Sequence, residues 1–302
     1  MSERDQANPR RLSVGVLVLN YNTWDLALRA LNAAIALEAE EVDEYVLFDD
    51  GSPTPPPDGT DSRIRVICGG VNRGFAAALN VAFAQMNSDV IVLFDSDAYP
   101  LTKFASRVRE NFSSDSRLGQ LGFGAEDANG SPTESFLTEP TKWSLLLGQR
   151  AYARLQKAPH ASSLCIITGC MATARRAYSD IGNFDEALDF LDVDLDFSMR
   201  LRRKGWRVDV DQAVRVFHVG GGTLQAGNKR LLRFYKSRWR LLRKHSLIRN
   251  ARLARTFILA RLVLEWIALR VFGKIMFRSD EILARKVAGR RELIAFCREH
   301  YS

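Results

Sequence analysis

Short apolar runs alternate with helically spaced apolar residues along the first hundred residues. Val14–Leu19 is a continuous run rich in β-branched residues, the pattern of a buried strand. Asn20-Tyr21-Asn22-Thr23 breaks it, and Asn22 or Thr23 can cap a helix on which Trp24, Ala27, Leu28, Leu31 and Ile35 recur at helical spacing. Tyr45–Phe48, Ile64–Ile67 and Val90–Phe94 repeat the strand pattern, and residues 72–86 read as a helix. This alternation predicts a parallel sheet with crossover helices. Ligands of such sheets bind beyond the carboxyl ends of the strands. Three polar clusters fall there: Asn20-Tyr21-Asn22, Asp49-Asp50-Gly51-Ser52 and Asp95-Ser96-Asp97.

Further on the pattern is less regular. From Leu118 to Pro159, Gly, Ser and Pro recur throughout. Cys165–Ala174 reads as a strand interrupted by Gly169, Arg175–Ile181 as a short helix, and Val208–Val210 and Ala213–Val219 as strands. Leu191–Leu201 carries two conflicting signals. Its apolar residues alternate strictly with Asp192, Asp194, Asp196, Ser198 and Arg200, which is the period of a strand. Yet its acids come first, and the bases Arg200, Arg202, Arg203 and Lys204 come last before Gly205, the charge order and stop signal of a helix. From about Asn228 the chain is rich in Leu, Arg, Lys and Ala and reads as helical.

Composition adds a charge asymmetry. The chain has 302 residues, 46% of them hydrophobic, enough for one large core or two unequal ones and unlike a disordered chain. Of its net +8, residues 228–302 carry +15 (20 Lys+Arg, 5 Asp+Glu) and the rest carries −7. A basic tail implies a polyanionic partner (an anionic membrane surface, nucleic acid or an acidic substrate) or a solvated helical face. Arg230, Arg233, Lys236, Arg238, Arg240, Arg243 and Lys244 alternate with Leu, Phe, Tyr and Trp, as in a basic amphipathic helix lying on anionic lipid. Packing on the rest of the chain or on a second chain, as a homo-oligomer, is the competing use. The longest apolar stretch, Thr256–Gly273, is interrupted by Arg261, Glu265 and Arg270, against a simple span, and these charges do not sort onto one helical face. The four cysteines, Cys68, Cys165, Cys170 and Cys297, form no CxxC pair and read as small buried hydrophobes in a reducing compartment. The polar start Met1–Asp5 lacks an apolar signal core. A cytoplasmic protein is expected, with a peripheral place on the inner face of the cell membrane left open.

Asp95-Ser96-Asp97 follows an apolar strand, and two carboxylates there are costly unless a cation or hydrogen bonds compensate. Hard oxygen ligands suit Mg²⁺ or Mn²⁺, which also bridge diphosphate oxygens. His218, ending a strand before Gly220-Gly221-Gly222, can complete such a site. A carboxylate in the Asp49-Asp50 cluster can accept hydrogen bonds from a base or ribose.

Five stretches in order resemble the large inverting glycosyltransferase family of GT-A fold, especially its rhamnosyltransferase-like members. They are Val18–Asn22, Leu47–Ser52, Asn72–Asn80, Leu93–Asp97, and Asp192–Trp206 with His218. The resemblance spans about Val14 to Thr223. It implies that Asn20, Asn22, Asp49, Asp50, Asn72, Gly74, Asn80, Asp95 and Ser96 lie on the donor side. It implies that Asp97, with Asp95 and His218, holds a Mg²⁺ or Mn²⁺ ion. Gly169, Cys170 and Trp206 would face the acceptor. Residues Asp194–Lys204 would be helical, with the catalytic base at their N-terminal end. The family shows Glu-Asp there, and counting back from Gly205-Trp206 puts Asp194 on the base, with Asp192 able to take over the role. Asp192 is then expected to cap the helix and Asp196 to form an exposed ion pair with Arg200.

The expected architecture is an α/β GT-A sheet, mostly parallel and flanked by helices. The expected organisation is a polar arm at 1–12, a catalytic domain at 13–227 and a basic helical extension at 228–302. The resemblance implies sugar transfer from dTDP-rhamnose or a UDP-sugar to a saccharide or lipid-linked saccharide in cell-surface polysaccharide biosynthesis. A sugar nucleotidyltransferase would want a Gly-rich basic phosphate loop after the first strand, which Asn20–Trp24 does not supply. A non-catalytic polyanion-binding protein is the other alternative, and acidic clusters at strand ends count against nucleic acid over the body.

Overall fold

The computed structural model of the chain describes residues 10–155, 158–188, 191–218 and 227–301. The chain divides into two compact units, residues 1–139 with 159–222, and residues 140–158 with 223–302. The segment 140–158, expected with the catalytic domain, thus belongs with the C-terminal helices.

The first unit opens with β1 (Val14–Asn20), α1 (Trp24–Glu38), β2 (Glu44–Asp49), β3 (Ile64–Cys68), α2 (Phe75–Gln85) and β4 (Val90–Phe94). The apolar runs of β1, β2 and β4 are almost wholly buried, which is why they read as unbroken hydrophobic segments. These strands are parallel in the order β3-β2-β1-β4. Chain progression reverses direction between β1 and β4, so the crevice beyond their carboxyl ends is a topological switch point.

After β4 the sheet becomes mixed. β5 (Ala98–Pro100), α3 (Ala105–Ser114), β6 (Leu118–Glu126), β7 (Pro132–Thr133) and β8 (Phe136–Thr138) lead to the second unit. That unit begins with the short helices α4 (Trp143–Leu146) and α5 (Gln149–Leu155). The chain then returns as β9 (Leu164–Ile166), β10 (Cys170–Ala174), α6 (Arg175–Ile181), α7 (Val193–Arg203) and β11 (Arg207–His218). The sheet runs β3-β2-β1-β4-β10-β6-β11-β5, with β10 antiparallel to β4 and β5 antiparallel to β11. β8 and β9 form a separate antiparallel pair.

Several expectations are corrected here. The Gly-rich stretch after Leu118 contains a nine-residue strand, β6, because Gly119 and Gly122 let Leu201, Trp206 and Ile166 pack closely against its backbone. The two strands expected over 208–219 are one strand with a bulge between Asp211 and Arg215. Val219 and Gly220-Gly221-Gly222 lie outside the described residues. Leu191–Leu201 is helical from Val193, so the charge order prevailed over the period of two. Both sides of that helix are occupied, and Val193, Leu195, Phe197, Met199 and Leu201 are all buried. Cys165, Cys170 and Cys297 are buried, but Cys68, the last residue of β3, is exposed.

The second unit is completed by α8 (Gly227–Lys244), α9 (Ala251–Met276) and α10 (Asp280–His300). Its core gathers Leu145, Tyr235, Trp239, Ile258, Leu293 and Tyr301. The Trp239 and Tyr301 rings stack at 4.0 Å, and the Tyr301 hydroxyl donates to the Tyr235 carbonyl. Side-chain oxygens of Asn250 and Ser279 cap α9 and α10 by accepting from Leu253 and Ile282 N–H.

Candidate active site

The sheet register assembles the site. Cys170 pairs with Phe94, so the turn before β10 lies against the end of β4, and the Asp95 N–H donates to the Gly169 carbonyl at 3.2 Å. His218 pairs with Ala98, which sets its ring beside Asp97. One ligand atom each from Asp95, Asp97 and His218 lies within 4.8 Å of the others, and His218 Nε2 is 3.7 Å from Asp97 Oδ1. The ring of buried His218 rests on Gly169, where a Cβ would meet Cε1 at 2.5 Å and Nδ1 at 2.8 Å. A glycine is required there by close approach rather than by backbone angle.

Electrostatics mark the same group. Desolvation, with the nearby charge of Asp97, pushes the Asp95 carboxyl up to about 7. Burial lowers the His218 imidazole, against the pull of Asp97. His218 Nδ1 is buried and has no hydrogen-bond partner among the described residues. Two carboxylates and an imidazole facing one another, with His218 Nε2 toward Asp97, form a donor set fit for a divalent cation.

Asp194 stands in the first turn of α7. Its Oδ2 accepts from the Thr168 N–H at 3.2 Å and its Oδ1 from the Leu195 N–H at 2.8 Å. Thr168-Gly169 therefore joins Asp194 on one side to Asp95 on the other. Burial pushes the Asp194 carboxyl up to about 6, helped by the charge of Asp192 and opposed by the two N–H groups. Asp192 precedes the helix at the N-cap position, but with φ +64° and no side-chain capping bond, so the expected cap is not made. The Asp196–Arg200 pair forms at 2.7 Å, yet Asp196 is wholly buried rather than exposed.

The other sequence-selected residues build the surroundings. The Asn20 amide donates to Asp49 Oδ1 at 2.7 Å and to Ser52 Oγ at 3.2 Å, while its carbonyl accepts from the Thr23 N–H and hydroxyl. Asp49 also accepts from the Ser52 N–H and hydroxyl. Asp50 accepts from the N–H groups of Arg73 and Gly74, and Asn72 from Gly74. Gly51, at φ +76°, lets the two loops meet, since a Cβ there would lie 2.4 Å from the Val71 backbone. Asn22, also at positive φ, places its N–H on Ser52 Oγ at 2.7 Å. Half-buried Ser96 lies between the two acids.

Three residues stand apart. Asn80 spends its amide on Phe184, Glu186 and Tyr178. Cys170 is fully buried, so its thiol offers an acceptor no surface. Trp206 follows the C-terminal end of α7, with its indole N–H on Asp180, at the opposite end of the helix from Asp194. Sequence reading passed over Thr168, whose role runs through a backbone N–H that no side-chain pattern announces, and took Ser52 only as part of the Asp49–Ser52 cluster.

The mixed sheet flanked by helices is that of the GT-A fold, with the acidic cluster at its switch point. A family profile described as Glycosyl transferase family 2 matches residues 15–182, more than half the chain, and the chain belongs to that family. The match ends before Asp194 and His218. No curated protein matches the sequence. Among solved structures, GalNAc-T7 with UDP, GalNAc and Mn²⁺ is 13% identical, with a TM-score of 0.54 over 74% of this chain and 48% of that one. The chain thus spans about half the length of that structure. The mannosyltransferase PcManGT from Pyrobaculum calidifontis, in complex with GDP-Man and Mn²⁺, is 16% identical, with a TM-score of 0.56 over 95% of this chain and 86% of that one. S. aureus TarS is 18% identical, with a TM-score of 0.51 over 76% of this chain and 39% of that one. At these identities the likeness is one of fold.

Proposed function

We propose that the protein transfers a sugar from a nucleotide-sugar donor to a hydroxyl of a saccharide or lipid-linked saccharide, with inversion, in cell-surface polysaccharide assembly. The observation that carries this reading is the Asp95–Asp97–His218 cluster, coupled through Thr168-Gly169 to Asp194. Asp95, Asp97 and His218 would hold Mg²⁺ or Mn²⁺, which when bound offsets charge on the departing diphosphate. GalNAc-T7 and PcManGT were both solved with Mn²⁺, which supports a divalent ion at this fold's centre.

Asp194 is the base. It takes the proton of the acceptor hydroxyl as that oxygen bonds to the anomeric carbon, and the bond to the nucleotide diphosphate breaks with its electron pair on the diphosphate. A carboxyl raised to about 6 is mostly ionised at neutral pH and a better proton acceptor than an ordinary Asp. The Thr168 N–H holds its Oδ2 in place. Asp192, next to the base, supports it by raising its proton affinity. The rim built from Asn20, Asp49 and Asp50 faces the nucleotide, with dTDP-rhamnose or a UDP-sugar as the donor.

A screen of dTDP-, UDP- and GDP-sugars by thermal melting, with and without Mn²⁺ or Mg²⁺, tests the donor. Stabilisation by one nucleotide class that needs the metal is expected. Equal melting with every nucleotide sugar would overturn the reading. Anomeric configuration of the product by NMR tests inversion.

A further inference from the structure

We propose that the outer face of α9 is a docking surface for an anionic lipid bilayer. Leu253, Phe257, Leu264, Ile267, Val271 and Ile275 all lie on it, and Leu253, Leu264 and Ile275 are 67%, 66% and 85% exposed. At 100° per residue these six fall within an arc of about 80°, a stripe about 33 Å long. An apolar stripe of this size, left open to water, marks an interaction surface.

At 100° per residue Arg261, Glu265 and Arg270 lie about 80°, 120° and 100° from the centre of this arc, outside the stripe, and two of the three charges are engaged within the fold. Arg261 is drawn onto Glu265, the Tyr235 hydroxyl and the Leu145 carbonyl. Glu265, the one acid of α9, also accepts from Arg290 at 2.6 Å. What remains is an apolar stripe bordered by exposed Arg252, Arg270 and Lys274. At its N-terminal end it opens into a groove of about 680 Å³, whose walls include Leu146, Leu253, Phe257 and half-exposed Trp143, with exposed Lys142 and Arg249 at its margin.

The charge decides the occupant. Residues 228–302 carry a net +15, so a second copy laid on this stripe would set cations against cations. A self-pairing seam instead carries both signs beside it. An anionic bilayer satisfies both halves, burying the apolar side chains and attracting the Arg and Lys border. Among the described residues no helix is long and apolar enough to cross a membrane, so α9 would lie on the surface.

The test is binding rather than transfer, so its outcome does not depend on the catalytic reading. Full-length protein is sedimented with vesicles of phosphatidylcholine alone or mixed with phosphatidylglycerol, at low and high salt, and its mass is measured by analytical ultracentrifugation. Binding to the mixed vesicles only, weakened by salt, is expected of a monomer. Leu264→Ser with Ile267→Ser, at exposed positions, should lower that binding at least about tenfold with the melting temperature retained. Arg270→Gln with Lys274→Gln should flatten the salt dependence. Absence of vesicle binding, equal binding to both vesicles, or wild-type binding by the Leu264/Ile267 variant would overturn the proposal. So would a dimer that this variant converts to monomer, which would assign the stripe to a second copy.

Discussion

Two acidic regions sit at the carboxyl ends of the same sheet and differ in how their charge is met. Asp49 and Asp50 are 4% and 5% exposed, yet their oxygens accept from Asn20, Ser52, Arg73 and Gly74. Asp95, Asp97 and Asp194 are half-buried. Within the Asp95–Asp97–His218 group one carboxyl is pushed up to about 7, and one imidazole nitrogen has no partner among the described residues. Buried polar groups that are fully met build structure. Those left facing one another await a ligand, because burial without compensation costs free energy. In the proposed reaction the first region shapes the rim and the second does the chemistry.

The sharpest way to break this contrast is Asp194→Asn. Transfer should fall about 10²–10⁴-fold with donor affinity retained, measured by product formation and calorimetry. Stability at neutral pH should hold or rise by up to about 2 kcal/mol, because a raised carboxyl pKa means the folded state pays to ionise it. Asp192→Asn should retain most of the turnover, and the reverse ranking would move the base to Asp192.

Asp97→Asn comes next. A loss of about 10²–10³-fold is expected, together with loss of metal-dependent nucleotide binding and an unchanged circular dichroism spectrum. Near-normal transfer, or full activity in excess chelator, would reject the metal centre.

The pH profile is a smaller lever. Asp194 accepts a proton only when ionised, so kcat/KM should rise about tenfold per unit below about 6 and level off above it. The stability effect has the opposite sign. With the folded-state value above that of the unfolded chain, the stabilising contribution is complete below the ordinary 3.8 and is lost as pH rises through about 6. An acid limb unchanged in Asp194→Asn would assign it to another group.

Gly169→Ala displaces the His218 ring, and metal affinity should drop about tenfold by titration. Asp50→Asn probes the other region. It weakens the hold on the Arg73 and Gly74 N–H groups, so the main loss is about 1–3 kcal/mol of stability, with kcat at saturating donor nearly unchanged. A collapse of kcat there would erase the distinction between rim and centre.

Local sequence determined much of this protein. The unbroken apolar runs of β1, β2 and β4 announced buried strands, and the polar clusters at their ends marked the ligand crevice before any geometry was known. The acid-first, base-last order from Asp194 to Lys204 competed with a strand's period of two, the resemblance favoured a helix, and α7 is one. These signals were legible because each depends on residues only a few positions apart.

Tertiary structure decided the rest, because it depended on contacts between distant segments. β6 was hidden by its glycines, which make sense only once Ile166, Leu201 and Trp206 are packed against them. His218 joins Asp97 only through the pairing of β11 with β5. Asp49 and Asp95 look alike in sequence, and only tertiary contacts separate them: Asp49 accepts from Ser52, whereas burial and Asp97 push the Asp95 carboxyl up. Arg261 and Glu265, beside the apolar stripe of α9, found partners on other helices and on each other. A charge costs little where a partner waits for it, and no one-dimensional pattern records where that partner is.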